Sequence, residues 1–396
     1  MTQTIATIDM ITKESQLVLH ETASFIPTVN RSFDDSFGKV GAKIGDSLRV
    51  RLPARQTVRT GRAMSVQDIE DESVTLTCAT QKGVDLRFTS AEMALGIDYL
   101  SERYIRPAMK LLVSKIEEDA LSMTKNVASL SGSAGTAMSD LSALGNARAK
   151  LNGQAAPMTD RSIILDSIQM AGVVDGLKGL FQDSSQIKEA MREGFYARLA
   201  MGDLYENERI WTLPNSADVA GTLDTYTITN GDADLTVTGL SAAPVEGMVF
   251  TIAGVYACHP ETKQNLGYLK QWVADSGCST TDLNVQGSIY ISGPKQNCVA
   301  TGVSTTAAIT FVGSASTNYR QGLMYHKDAF AFVTADLPLM GGSEKCVRMV
   351  QDGISLRVWQ GPDIVNDELL TRIDILYGYK AIRPEWACRL IGAAAA

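Results

Sequence analysis

The sequence predicts an α+β protein whose chain is interrupted by an all-β domain. Three observations predict this class. Short segments that alternate apolar and polar residues, as strands do, occur along most of the 396-residue chain. One stretch, 90–128, repeats its apolar residues at about the helical period of 3.6. Between Asn215 and Met324 only 12 of 110 residues are charged, against 68 of the other 286, so this segment is expected to fold as a separate domain.

The first 89 residues predict an arm followed by an extended loop. Residues 1–42 contain too few apolar residues for a core of their own and are expected to form an N-terminal arm. Residues 43–89 are expected to form a long β-hairpin loop, with strands at 47–52, 73–80 and 84–88. About twenty residues join the first two strands, which is long for a hairpin connection.

Residues 90–128 predict a long amphipathic helix, with Ser90 as its N-cap and a kink at Pro107, because proline has no amide hydrogen for the helical ladder. One face of this helix carries apolar residues: Met109, Leu112, Val113, Ile116, Ala120, Met123 and Val127. Residues 129–214 continue as helix, strand (161–166) and helix, a succession typical of an α/β region.

The low-charge segment 215–324 carries short alternating runs separated by glycines, the pattern of a β barrel or sandwich. Residues 325–396 then return to strands at 329–337, 354–361 and 370–392. The chain therefore leaves one body and re-enters it later, and we expect that body to be discontinuous in sequence.

Composition excludes several classes of function. The formal charge of -8 argues against a protein whose whole surface binds nucleic acid or an anionic membrane. No apolar stretch approaches the roughly 18 residues of a membrane span. The N-terminus has no signal-peptide pattern, so cytoplasmic synthesis is expected. The six cysteines lie far apart, without metal-binding or redox spacing, and are expected to be free thiols.

Catalytic motifs are absent from the sequence. It has no phosphate-binding glycine loop, no nucleophile elbow and no metalloprotease histidine pair. His326 lies among apolar residues and is interpreted as structural, and His259 as a turn residue in preference to a metal ligand. We therefore predict no catalytic, cofactor-binding or metal-binding residues, no cofactor and no enzymatic activity.

The strongest charge feature lies in the extended loop. Residues 39–62 hold seven bases and one acid, Asp46, and an acidic block follows. Stacking aromatic residues are missing, which disfavours nucleic-acid binding. A solvated face is one interpretation; an interface with a neighbouring subunit suits a hairpin this long better. The candidate interface residues are Arg49, Arg51, Arg55, Arg59, Arg62, Asp68, Glu70, Asp71 and Glu72.

The order of these parts resembles the major capsid protein of tailed bacteriophages, the Hong Kong ninety-seven fold. Segments 192–211, 323–339 and 376–387 look like parts of such coat proteins. Residues 248–273, MVFTIAGVYACHPETKQNLGYLKQWV, resemble the core of the insertion domain in coat proteins of the Salmonella phage P-twenty-two type. The C-terminal region is shorter than in that type and the insertion contains cysteines, so the contacts of the insertion do not carry over residue by residue.

The resemblance implies a subunit of an icosahedral shell. Hexamers and pentamers would assemble with a scaffolding protein and a portal protein, with room for a decoration protein. The resulting procapsid would mature as it encloses double-stranded DNA without sequence-specific binding. The helix 90–128 and the strands in 329–391 would form the peripheral domain, and 129–214 the axial domain. No covalent crosslinking is implied. The expected location is the virion capsid, assembled in the host cytoplasm without a membrane.

Three other kinds of function would make different demands on the same residues. A β-rich adhesin or tail accessory protein would use the segment 215–324, which has few exposed-aromatic candidates beyond Trp272. An encapsulin-like cellular cage would share the fold but usually lacks such an insertion. A hydrolase would need a site that no motif indicates.

Overall fold

The computed structural model describes residues 12–13, 15, 23–33, 47–64, 66, 71–89, 101–136, 138, 141–177, 202–339, 346–351 and 354–394. They fall into two compact units. The first takes its residues from Met1–Val50, Ser73–Ala120 and Phe330–Lys380; the second takes them from Arg51–Glu72, Leu121–Ala329 and Ala381–Ala396. Each unit is thus assembled from three separate stretches of the sequence.

Strands dominate the described residues, and three α-helices accompany them. The strands are β1 (Ser47–Arg51), β2 (Ser73–Thr77), β3 (Thr80–Thr89), β4 (Leu130–Ser131), β5 (Arg161–Leu165), β6 (Asp203–Glu206), β7 (Thr212–Pro214), β8 (Ala220–Leu223), β9 (Asp232–Thr238), β10 (Val249–Cys258), β11 (Asn265–Val273), β12 (Asp282–Ile289), β13 (Cys298–Ala300), β14 (Ala308–Phe311), β15 (Asn318–His326), β16 (Phe330–Ala335), β17 (Cys346–Gln351), β18 (Ile354–Asp363), β19 (Glu368–Ala381) and β20 (Ala387–Ala394). The helices are α1 (Arg106–Leu121), α2 (Ser142–Gly153) and α3 (Ser167–Leu177).

The first unit contains a five-stranded sheet and α1. The sheet has the order β16-β19-β18-β17, and β3 pairs with β19. β19 is 14 residues long and pairs with β18 through Glu368–Asp374, with β3 through Glu368–Tyr377, and also with β16. Val113 and Ile116 of α1 line a small void together with Phe332, Ile354 and Ile375 of three strands, which places the apolar face of the helix on the sheet.

The helix confirms the predicted apolar face, because all seven of its predicted residues are buried. Its bounds differ from the sequence prediction. A π-helical turn, 101–105, precedes α1, and a 3-10 turn, 122–126, follows it. The change of hydrogen-bond pattern lies just before Pro107, where the sequence predicts a kink. Residues 90–100, including the predicted N-cap Ser90, lie outside the described part.

The second unit contains two sheets. The first is a mixed six-stranded sheet of order β4-β20-β15-β5-β6, with β7 paired to β15. β5 is buried at all five positions, as a strand covered on both faces must be. Ala143, Leu144 and Leu151 of α2 and Val173 of α3 share its apolar core with Ile163. Segment 192–201, which contributed to the resemblance, is outside the described residues.

The second sheet of this unit has seven strands, in the order β11-β10-β14-β8-β9-β12, with β13 paired to β10. A bridge between Ala274 and Val285 joins the two ends, so the strands close on themselves. Phe250 and Phe311 pack inside at 5.5 Å between ring centroids, among apolar residues from most strands. Between the alternatives of barrel and sandwich, this closed sheet is a barrel.

The barrel interrupts the six-stranded sheet between two neighbouring strands. Thr212–Pro214 of β7 pair with Asn318–Arg320 of β15, so the chain leaves and returns at one place. Residues 318–324, expected in the β domain, belong instead to the six-stranded sheet. Most of β15 is buried, and its pattern alone does not tell which sheet it joins.

The last strand, β20, joins a different sheet from the one that the sequence predicts. Residues 387–391 were expected in the peripheral domain, together with the strands that form the five-stranded sheet. β20 instead pairs with β15 and, in parallel, with β4 of the six-stranded sheet. A 3-10 turn that begins at Pro384 separates β19 from β20, because proline fixes its own φ and cannot donate to a ladder. The chain therefore changes sheets at this turn.

Candidate subunit-interface site

The extended loop has the predicted hairpin at its base. β1 and β2 form a two-stranded sheet, and the Leu52 amide donates to the Glu72 carbonyl at 2.8 Å. Side chains of β1 alternate, so Arg49 and Arg51 are exposed while Leu48 and Val50 are half-buried. The connecting residues 53–64 contain neither strand nor helix and are exposed almost throughout.

Three of the five candidate arginines bind groups of their own chain. Arg51 lies 4.0 Å from Asp71, with both side chains largely exposed. Arg55 lies 3.6 Å from Glu385, 330 positions later in the sequence. Arg59 donates to the carbonyls of Gly61 and Ala63, the second at 2.9 Å, and so stiffens the bend of the loop.

The remaining candidate residues either pair with another part of the chain, form no ion pair or lie outside the described residues. Arg49 and Arg62 are exposed, and neither forms an ion pair with the residues that the structure describes. Glu72 pairs with Lys295 of the barrel at 3.1 Å. Asp68 and Glu70 lie outside the described residues. Among the described candidates, one base of the loop meets one acid of its acidic block, Arg51 with Asp71.

Sequence reasoning missed the apolar character of the loop. Val58, Met64 and Val66 are 96%, 83% and 77% exposed, among the highest values for apolar side chains in the described residues. Arg59 and Arg62 lie between them in sequence. The sequence around these residues does not alternate apolar and polar side chains as a strand does. This pattern could have indicated that no sheet of their own covers these side chains.

Buried polar contacts join the barrel to the six-stranded sheet, and the sequence gave no sign of them. The fully buried Arg389 of β20 donates to the carbonyls of Gly247 and Lys125, at 2.7 and 2.6 Å. Burial lowers the pKa of this guanidinium to about 9, so it is still charged at neutral pH. Gln271 of β11 accepts from the Leu130 amide and the Lys150 ammonium, each at 2.8 Å.

The histidines and cysteines take part in local packing. His326 accepts the Asp328 amide at 3.2 Å and lies edge-on to Trp386, while His259 accepts two amides of its own turn. None of the six cysteines forms a disulfide bond. Within the described ranges, no group of three His, Cys, Asp or Glu side chains could hold a metal ion. None of the described helices is long and apolar enough to cross a membrane.

Comparison with known proteins decides the family. The family model described as "P22 coat protein - gene protein 5" matches residues 37–392, which is most of the chain. The chain belongs to the P22 coat protein family. Its function is that of the major capsid protein of a tailed bacteriophage, many copies of which assemble the shell. The resemblance drawn from the sequence is confirmed, and the adhesin and cage alternatives are not favoured.

One solved structure agrees with this family at the level of the fold, and further solved structures are similar to the chain. A structure from Mycobacterium phage Che8 matches with a TM-score of 0.50 and 12% identity, over 93% of this chain and 90% of that one. The capsid of Ralstonia phage GP4 matches at 0.47 and 6%, and the mature capsid of bacteriophage PhiM1 at 0.46 and 10%, each over 93% of this chain and 88% of the other. The search of curated proteins finds no match.

Proposed function

We propose that the loop 52–66 docks on a neighbouring copy of the subunit and that this contact closes the shell. The observation that carries the proposal is the exposed apolar set Val58, Met64 and Val66, with the unpaired Arg62 beside it. Apolar side chains this exposed are stabilised by burial, and a segment without its own core buries them only against another surface.

Burial of the apolar side chains contributes more energy to such a contact than the exposed ion pairs do. Full burial of a Val or Met side chain contributes about 1.5–3 kcal/mol, whereas an exposed ion pair contributes at most about 1 kcal/mol. Arg51, Arg55 and Arg59 already have partners in their own chain. The apolar residues therefore supply most of the contact energy, and Arg49 and Arg62 orient the loop by pairing with acidic residues of the neighbour.

The proposal extends to the assembly pathway, with support from the family to which the chain belongs. Hexamers and pentamers form a procapsid with a scaffolding protein and a portal protein in the host cytoplasm, and a decoration protein can be added to the outside. The shell matures as double-stranded DNA is packaged. The net charge of -8 supports an enclosing role, because an acidic wall binds DNA weakly. The role is structural and involves no catalytic step.

The test compares shell formation by loop variants that leave the fold unchanged. Val58→Ser with Met64→Ser removes apolar contact without changing charge, and Arg49→Glu with Arg62→Glu reverses the free cations. Both double variants should give soluble subunits with the wild-type melting temperature, but few closed shells in negative-stain electron microscopy and sedimentation. Thr60→Ser, in the same exposed loop, is the matched control and should assemble normally.

The two double variants test the apolar contact and the role of the arginines separately. Normal shells from the apolar double variant would refute docking through this loop. Normal shells from the charge reversal alone would leave the apolar contact and remove the orienting role of the arginines.

A further inference from the structure

An open cleft of about 620 Å³ lies within the second unit, and Val58 of the docking loop is one of its lining residues. Several separate parts of the chain line it, among them the extended loop with Arg55, the barrel with Lys270 and Trp272, and the segment before β20 with Arg383 and Trp386. Its volume is within the usual range for ligand-binding sites, about 300–1,000 Å³.

Two donors in the barrel wall of the cleft lack acceptors among the described residues. Trp272 is 4% exposed, and its indole N–H has no hydrogen-bond partner. The Lys270 ammonium lies 5.5 Å from the centroid of the Trp272 ring and bonds to none of the side chains or carbonyls described. Burial lowers the pKa of Lys270. A buried donor left unsatisfied is destabilising, so an acceptor placed here would be favoured.

The opposite wall adds a second unpaired cation. The Arg383 guanidinium stacks on Trp386 at 4.1 Å from the ring centroid, and no acid in the described ranges pairs with it. Two of the three lining acids are already engaged, since Glu385 pairs with Arg55 at 3.6 Å and Glu72 with Lys295 at 3.1 Å.

The third lining acid, Glu261, is exposed to solvent. The free groups of the cleft are therefore two cations and one indole N–H against a single solvated carboxylate. This balance favours an anionic acceptor.

We propose that this cleft binds an acidic peptide segment of a partner protein, with a carboxylate accepting from the Lys270 ammonium and the Trp272 indole N–H. The aromatic and proline side chains of the walls suit the aliphatic parts of an extended peptide: Pro53, Pro260, Pro384, Trp272 and Trp386. A nucleic-acid backbone fits less well, because its regularly spaced phosphates would approach the three glutamates.

The test is a titration of the full-length subunit with a fluorescein-labelled octapeptide of alternating Glu and Ala with blocked termini, followed by anisotropy. Saturable binding is expected. Lys270→Met should weaken it at least about tenfold, since a hydrogen bond between two charged groups is lost. Trp272→Phe keeps the ring but removes the N–H, and should weaken binding several-fold. Lys115→Met, an exposed lysine of α1, is the matched control and should bind like the wild type.

Several results would overturn the proposal. They are the absence of saturable binding, or equal affinity of the wild type and both cleft variants with melting temperatures unchanged. Competition by sodium acetate at the peptide's own concentration would show a small-anion site, and equal, Lys270-dependent binding of oligothymidine would show a general polyanion site. None of these readouts involves shell formation, so failure here is distinct from failure of the loop-docking proposal.

Discussion

Asp374 in the first unit offers a comparison between a buried and an exposed partner of one carboxylate. Arg357 donates to its Oδ2 at 2.7 Å, with the two side chains 6% and 1% exposed. Arg372 binds the same carboxylate through Nε at 2.8 Å, but its side chain is 49% exposed. Because both arginines lie on neighbouring strands and bind one group, Arg357→Met and Arg372→Met differ mainly in burial.

The burial of each arginine sets the loss of stability that we expect from its substitution. Loss of one partner of a buried ion pair costs about 3–5 kcal/mol, because the other charge is left without compensation. The remaining Arg372 contact puts Arg357→Met at the lower end, about 3 kcal/mol. Arg372→Met removes a half-exposed partner and leaves Asp374 paired with the buried Arg357. It should therefore lower the free energy of unfolding by at most about 1 kcal/mol. At about 1.4 kcal/mol per factor of ten, these are about 140-fold and fivefold changes in local opening.

Hydrogen exchange of β18 and β19, followed by mass spectrometry, measures that opening directly. Amides of these strands should exchange about 140-fold faster in Arg357→Met and at most about fivefold faster in Arg372→Met. Equal acceleration in the two variants would show that burial does not decide the energy of this pair, and the reasoning would be wrong.

Two further predictions concern the second unit. Gly132 has a φ of +101°, and a Cβ there would lie 2.3 Å from the Ile391 carbonyl oxygen, whereas Gly135 (φ +82°) has open space around it; Gly135→Ala should cost about 1–2 kcal/mol and Gly132→Ala clearly more in chemical denaturation. Burial lowers the pKa of His326 from its ordinary 6.5, so below that pH the unfolded chain takes up a proton that the folded chain does not. Stability present above pH 6.5 is thus lost on acidification, and the melting temperature of His326→Asn should fall less between pH 7.5 and pH 5 than that of the wild type. Equal falls would contradict this.

Local elements were predictable where side-chain period alone decides them. The apolar face of α1 follows from residues three and four apart, and Met109 and Val113 are buried as that spacing predicts. The alternation at 354–361 predicts β18 in the same way. The arginines of the loop were also identified as an unusual group, although their individual partners were not.

Partners distant in the chain were beyond prediction from one sequence. Arg55 meets Glu385 because the turn at Pro384 brings that glutamate to the loop. β20 could have joined either sheet, since its alternation is satisfied by any apolar surface. Lys270 and Trp272 were visible as a lysine and a tryptophan two positions apart, but their lack of acceptors depends on what the rest of the fold places opposite them.

By itself, the sequence determined the class of the protein: strands and helix from their periods, the inserted β domain from its drop in charge, and the capsid resemblance from the order of these parts. Tertiary structure decided which sheet each strand joins, which cations of the loop are already paired and where a cleft with unpaired donors opens. The physical reason is that periodicity is set by backbone geometry over a few residues. Hydrogen-bond satisfaction and burial are set by contacts between segments hundreds of residues apart.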